Sequence, residues 1–473
     1  MNLSPTPHTL LENRTYDELQ VGDTASLTRT LTKDDIDAFA ILSGDVNPAH
    51  LDDAYAAETP FQKVIGHGMW GGTLISTILG TQLPGPGTIY VGQTLRFVRP
   101  VYLGDIITVT LTVKEKRPKN MVLLDCVCSN QHGKPVILGE AEIMAPTTKV
   151  SRPQAALPEL GLMRHERFER LVSRIEGDEP VRTAVVNPDT AENLVAMMEC
   201  ARAGLIKPVV IGPRAHIGKL ADEAQIDLAG CEWRDAPTAV KAAHVAVEMA
   251  RAKEVGAIMQ GAIPVHILLH LVLRHAGGLR TARRMSHAYV VDVPTCEHPL
   301  MITDAEVNVS PSLEDKRDIV QNAIDLANLL HFDNPSVAIL SAAEEFNSNL
   351  ASSADAAVLC KMYEREHITG ALVDGPMTFD AAIRPEVAAR KYPNSHVAGR
   401  ANILMVPNLE AANMLIKQMA HLAHADIAGI VLGAQVPVIL TNPNESTRTR
   451  LASAAFAQLL ANANKRHPQA PAL

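Results

Sequence analysis

Cysteine is scarce: six residues in 473, at positions 126, 128, 200, 231, 296 and 360, with no CxxC pair and no Cys/His cluster at zinc spacing. That excludes a disulfide scaffold and a zinc finger, and it makes a reducing cytoplasm the expected compartment. Cationic charge is also short, with 43 Lys and Arg against 52 Asp and Glu and a net charge of -9. Such a chain has no global attraction for polyphosphate backbones, so nucleic-acid binding is excluded as its main task, although a local cationic cleft can still take a small acidic ligand. No run of about 18 apolar residues occurs, and the start MNLSPTPHTLLENRTYDELQ lacks a cationic region followed by an apolar one. Neither a membrane span nor a secretory signal is expected. Charged residues make up 20% of the chain and hydrophobic residues 47%. Disorder is therefore not expected, and the length suggests two to four compact units at about 100 to 200 residues each.

The few aromatics are unevenly placed. Eight (Tyr16, Phe39, Tyr55, Phe61, Trp70, Tyr90, Phe97 and Tyr102) fall in the first 150 residues, and the other nine are spread over the rest. The first segment reads as aromatic and β-branched strands around one helix, an α+β pattern. The second alternates Ala-, Leu- and Val-rich strands with helices, which predicts an α/β, doubly wound parallel sheet. Between them, APTTKVSRPQAALPELG carries Pro146, Pro153 and Pro158 and has the composition of a linker. The expected organisation is residues 1–145, a linker at 146–164, and residues 165–473.

In the first segment, TKDDIDAFAIL has helical spacing, with Thr32 as N-cap and Asp34 and Asp35 in the first turn. The turn-rich loop SGDVNPAHLDD follows, then VIGHGMWGGTLISTILG at helical length, then strands with two-residue alternation. Asp45 and His50 flank the Asn47-Pro48 turn and can both face one water, the carboxylate accepting one proton while the imidazole exchanges another. The stretch His67-Gly68-Met69 sits where N–H groups of a helix N-terminus can hold an oxyanion. On residue types alone, an Asp/His pair in a loop is also what an Asx-turn or a helix cap looks like.

As a set, S-G-D-V-N-P-A-H-L-D, H-G-M, L-P-G-P-G, Y-V-G-Q and V-x-x-G-D resemble the R-specific, MaoC-like enoyl-CoA hydratases of the hot-dog fold, over roughly residues 12 to 145. The resemblance implies Asp45 and His50 as the catalytic dyad for syn addition of water to a trans-2-enoyl-CoA, giving a (3R)-3-hydroxyacyl-CoA. It also implies that the Asn47 amide orients the dyad, that the Gly68 N–H polarises the thioester carbonyl, and that the Thr73 hydroxyl supports the loop. Thioesterases share this fold, which leaves hydrolysis as a weaker alternative.

The second segment presents strands VRTAVVN, KPVVIG, EVGAIMQG, HAYVVDVP, LMITDA, SVAILS, TGALVDGP, NILMVP and AGIVLGA. Ligands in doubly wound sheets lie beyond the carboxyl ends of the strands, here Gln260-Gly261, Asp304, Asp374-Gly375-Pro376 and Pro407-Asn408. From about 165 to 465 the segment resembles the phosphate acetyl/butyryltransferase family, through GLRTARRMSH, ITDAEVNVSP, QNAIDLA, DGP, VPNLEAANMLIK and LGAQVPVILT. This implies acyl-CoA and phosphate as substrates, acyl phosphate and CoA as products, and substrate-binding roles for Arg280, Arg283, Asn308, Asn413 and Lys417. No tightly bound cofactor is implied; CoA thioesters are substrates of both halves, and both resemblances imply a homo-oligomer. In two places the chain departs from the family pattern. The turn after Gly261 lacks hydroxyls and has His270 near the basic position, and Asn442-Pro443 replaces a Ser-Arg pair, with Thr441, Arg448 and Arg450 nearby. The rival reading follows from these departures: a working hydratase carrying a non-catalytic CoA-binding or assembly module.

The remaining features read as structural. Met197-Met198 and the Cys126/Cys128 alternation fit core positions, and MRHERFER (163–170) fits a solvated helix face. His266, His270 and His275 have helical spacing but no carboxylate or cysteine partners, so no metal site is expected there.

Overall fold

The structure is a computed structural model that describes residues 10–155, 162, 167–168, 173, 179–440 and 446–466. The chain forms two compact units, Met1–Leu162 and Met163–Leu473.

In the first unit, strands β1 (Leu10–Glu12), β2 (Thr24–Thr30), β3 (Ile89–Phe97), β4 (Ile106–Arg117), β5 (Met121–Ser129), β6 (Pro135–Met144) and β7 (Ser151–Pro153) accompany helices α1 (Lys33–Ser43), α2 (Pro48–Leu51), α3 (Asp53–Glu58) and α4 (Gly68–Thr81). Five strands form one antiparallel sheet in the order β2-β4-β5-β6-β3. Alternation decides which face is buried: Val109, Leu111 and Val113 of β4 and Val122, Leu124, Cys126 and Cys128 of β5 point inward. They meet Leu74, Ile75, Ile78 and Leu79 of α4, the long apolar helix that the sheet wraps. The stretch expected to be a linker differs. β7 pairs with β1 antiparallel, Leu10 opposite Pro153, and Tyr16 N–H bonds the Pro146 carbonyl at 2.7 Å. Proline is tolerated there because a two-stranded ribbon leaves outward-facing N–H positions unused.

In the second unit, β8 (Val181–Val186), β9 (Ile206–Gly212), β10 (Glu232–Asp235), β11 (Ala257–Gln260), β12 (Ser286–Asp292), β13 (Leu300–Thr303), β14 (Ser336–Leu340), β15 (Leu372–Met377), β16 (Ile403–Met405), β17 (Asp426–Leu432) and β18 (Val438–Ile439) make one sheet. Its order is β10-β9-β8-β11-β18-β17-β12-β13-β16-β14-β15. The alternating pattern of strands and helices is as read from the sequence, but the sheet is mixed, not wholly parallel: β12 runs antiparallel to both β13 and β17, and β17 to β18. The cause is connection length. Parallel neighbours need a crossover of a dozen or more residues, and only residues 293–299 join β12 to β13 and 433–437 join β17 to β18. The carboxyl ends of the strands therefore fall on two opposite edges. Gln260-Gly261 ends β11 on one, and Asp304 and Pro407-Asn408 follow β13 and β16 on the other; Asp374-Gly375-Pro376 lies within β15. Arg167 and Phe168 also depart from the solvated face expected of them: Phe168 is in the core and Arg167 pairs with buried Asp292 at 2.7 Å. Residues 163–166 and 169–170 lie outside the described residues.

Candidate functional site

In the first unit the site is built at the C-terminus of α1. Thr32 and Asp35 form a capping box at its start, and Gly44 ends it with φ 76, a left-handed conformation that glycine adopts without strain. Asp45 comes next, exposed to solvent, with its Oδ1 receiving the Asn47 N–H at 3.3 Å. His50, 9% exposed, holds the Ile65 carbonyl through Nδ1 at 2.8 Å. A carbonyl only accepts, so Nδ1 carries the proton and Nε2 is the nitrogen free for chemistry. His67 closes the group: a ring nitrogen of each histidine and a carboxylate oxygen of Asp45 all lie within 4.8 Å of one another. One water oxygen among three such atoms can come within about 2.8 Å of each, hydrogen-bonding distance.

His67 is the N-cap residue of α4, and Gly68 is its first helical residue. The first N–H groups of a helix have no intrahelical partner and carry partial positive charge, which suits a developing oxyanion. A Cβ on Gly68 would come to 3.0 Å from the Phe97 ring, so glycine keeps this approach open. A cavity of about 370 Å³ lies here, lined by His50, His67, Gly68, Trp70, Phe97 and Val136 among others.

Two supporting residues act otherwise than expected. The Asn47 side-chain oxygen caps α2 by accepting the Ala49 N–H at 3.1 Å, and it is the Asn47 backbone N–H that reaches Asp45. The Thr73 hydroxyl donates to the Trp70 carbonyl at 2.7 Å inside α4, not to the catalytic loop. The sequence marks His67 only by its position beside Gly68. Its contact with Asp45 spans 22 residues, and local spacing carries no trace of it.

In the second unit the residues picked from the sequence gather at the edge where β13 and β17 end and β12 begins, since Ser286 pairs Leu432 and Ala288 pairs Thr303. Asp304, 2% exposed, ties this edge together: its carboxylate accepts the N–H groups of His287, Glu306, Val307 and Asn308. Burial pushes its carboxyl upward against those hydrogen bonds. Asn308 is buried with both amide ends occupied, Nδ2 on the Met285 carbonyl and Asp304, Oδ1 on Arg284 Nε at 2.7 Å. Arg283 is drawn back onto Asp325 of the helix Leu313–Leu329. Arg280 is exposed, with Nη1 at 2.9 Å from His275 Nε2. Asn413 and exposed Lys417 sit one turn apart on the helix Leu409–Leu422. Burial raises the Glu306 carboxyl, and the Tyr289 hydroxyl and the Lys417 charge oppose that rise. Arg284, Glu306 and Tyr289 were not singled out from the sequence, although all three lie in or beside the stretches that carry the resemblance. His266 and His270 are exposed on the helix Val265–Val272. Thr441, Asn442 and Pro443 lie outside the described residues.

The profile described as phosphate acetyl/butaryl transferase matches residues 231–458. A phosphate acetyltransferase of Rhizobium meliloti is 46% identical over 307 residues, covering 65% of this chain and 97% of that protein. The chain belongs to the phosphate acetyl/butaryl transferase family. Ahead of that region, a MaoC like domain profile matches residues 20–125, which include Asp45, His50 and Gly68. A phosphate butyryltransferase of Clostridium beijerinckii is 34% identical over 298 residues, covering 63% of this chain and 99% of that protein. Among solved structures, a branched-chain phosphotransacylase from Enterococcus faecalis V583 is 26% identical, with TM-score 0.52, covering 59% of this chain and 99% of that one. The unliganded R-hydratase PhaJ1 from Pseudomonas aeruginosa is 52% identical, with TM-score 0.32, covering 33% of this chain and 99% of that one. No helix among the described residues is long and apolar enough to cross a membrane.

Proposed function

We propose that the chain is a two-part enzyme of CoA thioesters: residues 1–145 hydrate a trans-2-enoyl-CoA to a (3R)-3-hydroxyacyl-CoA, and residues 165–473 convert acyl-CoA and phosphate to acyl phosphate and CoA. The observation that carries the first activity is the approach of the Asp45 carboxylate to His50, whose imidazole lines an apolar cavity beside the Gly68 end of α4. The thioester carbonyl accepts the Gly68 N–H, which makes C3 electrophilic. As the water oxygen bonds to C3, Asp45 takes one of its protons, and that proton is passed to C2 on the same face by way of Nε2 of His50, so both groups end the cycle as they began. Hydroxide at C3 and hydrogen at C2 account for the whole water molecule. Hydration is followed as loss of the enone absorbance of crotonyl-CoA. Asp45→Asn and His50→Gln are each expected to lower kcat by about 100-fold or more, and wild-type turnover in the double variant would refute the assignment.

The second activity rests on 46% identity across nearly the whole length of a phosphate acetyltransferase. Release of CoA from acetyl- or butyryl-CoA that depends on phosphate tests it, and no release above buffer would return the domain to the binding-module reading. No tightly bound cofactor, a cytoplasmic site of action and a homo-oligomeric state belong to the same proposal. Exposed Ile89, Tyr90 and Val91 on the edge strand β3 offer a surface for pairing, and light scattering on the purified chain measures the outcome.

A further inference from the structure

His67 is 4% exposed, yet its Nδ1 has no hydrogen-bond partner among the described residues. A buried unpaired acceptor is a net cost to folding, so the ring is not placed there for stability. Its other nitrogen, Nε2, lies 3.0 Å from the backbone carbonyl of Asp45; a carbonyl can only accept, so Nε2 bears the proton and donates it. The ring also lies on that of His50, centroids 4.0 Å apart and tilted by 36°, and is backed by Phe39 at 4.8 Å. Although His67 occupies the N-cap of α4, its side chain makes no capping hydrogen bond. It therefore touches both halves of the dyad at the start of the oxyanion helix, while its side chain does none of the capping that its position offers.

We infer that His67 is a positioning residue for hydration: its Nε2–H clamps the exposed Asp45 loop by its main chain, and its ring holds the imidazole of His50 at the distance that lets both groups serve one water. This rests on the hydratase reading above. Among the described residues, Asp45 is otherwise held by local contacts alone, the Ser43 hydroxyl on its N–H at 3.2 Å and the Asn47 N–H on its carboxylate. A loop so lightly held loses the dyad spacing when the clamp is removed, and misplacement by about 1 Å costs on the order of 100-fold in rate.

The test compares His67, His67→Leu and His67→Gln in the full-length chain carrying Trp233→Phe, measuring crotonyl-CoA hydration and thermal unfolding by Trp70 fluorescence. Leucine removes both the donor and the orphaned acceptor. Its kcat is expected to fall about 100-fold with KM within about twofold, while the melting temperature does not drop. Glutamine restores an N–H near the ε position and is expected to recover kcat to within about tenfold of wild type. Unchanged kcat in His67→Leu overturns the proposal. So does a loss of rate that follows a loss of melting temperature, or a glutamine variant no better than leucine. A wild-type protein that does not hydrate crotonyl-CoA at all overturns the hydratase reading itself, an outcome separable from the other three.

Discussion

The side-chain amide of Asn13 donates to the carbonyl of Thr148 at 2.9 Å, binding the start of the first unit to the segment that follows its last sheet strand. The same amide donates to Pro86 at 2.9 Å, its oxygen accepts the Val150 N–H at 2.9 Å, and the residue is 1% exposed. Three buried or half-buried backbone groups thus depend on one side chain. Asn13→Ala is expected to destabilise the first unit by about 2–4 kcal/mol. The two tryptophans, Trp70 and Trp233, fall one in each unit, so urea unfolding read by Trp70 in a Trp233→Phe background reports the first unit alone. An unchanged midpoint would mean that residues 146–153 behave as the linker their prolines suggest.

Arg280 and Arg283 make different predictions despite sharing one short motif. Arg283 is half-buried against Asp325, so Arg283→Ala leaves that carboxylate without its cation and lowers the stability of the second unit by about 1–2 kcal/mol. Arg280 is exposed and, among the described residues, meets the His275 ring rather than a carboxylate, so Arg280→Ala is expected to raise the KM for phosphate about tenfold, the worth of one charge-assisted hydrogen bond, with the unfolding midpoint unmoved. Phosphate-dependent CoA release and urea unfolding read by Trp233 separate the two effects. A phosphate KM that responds to Arg283→Ala and not to Arg280→Ala would exchange their roles.

What could be read from the sequence followed from short-range physics. The two-residue alternation that turns Val109, Leu111 and Val113 inward and the N-cap at Thr32 are local patterns, and the structure shows both. Gly44, Asp45 and His50 lie close along the chain, so their meeting at one loop was legible. The contact of His67 with Asp45 and the grip of Asp325 on Arg283 join residues that only the folded chain brings together. Strand direction in the second unit was legible in principle. The short connection VPTCEHP between β12 and β13 leaves no room for a crossover, but runs of buried apolar residues look alike in either direction.

Gly139 tests how tightly β6 must approach β3. A Cβ at this position would fall 1.9 Å from the Thr94 carbonyl oxygen, a backbone atom that no rotamer change can move. Gly139→Ala is expected to push β3 outward at a cost of about 2–3 kcal/mol. Because Phe97 at the far end of β3 lines the cavity beside His50, crotonyl-CoA hydration should fall with stability. Wild-type values for both the Trp70-monitored midpoint and turnover would show that the strands can separate there freely.

His287 makes the second unit sensitive to acid. Its ring is fully enclosed, Nδ1 has no partner among the described residues, and burial lowers its pKa from 6.5 to about 3. Between those two values the unfolded chain binds a proton that the folded chain does not, so stability declines as the pH falls below about 6.5, by at most about 1.4 kcal/mol per pH unit for this one group. Asp304, whose N–H contact is with His287 itself, works in the opposite sense. Its raised pKa means that the folded state keeps a proton the unfolded chain has released, so its contribution weakens as the pH rises above 3.8. The two effects have opposite signs, and substitution separates them. His287→Leu removes the first and leaves the second, so the urea midpoint read by Trp233 in a Trp70→Phe background should fall less between pH 7 and pH 5 than it does with His287 present. An identical fall in both proteins would mean that His287 gains a proton while folded, and that the enclosure around its ring opens to water.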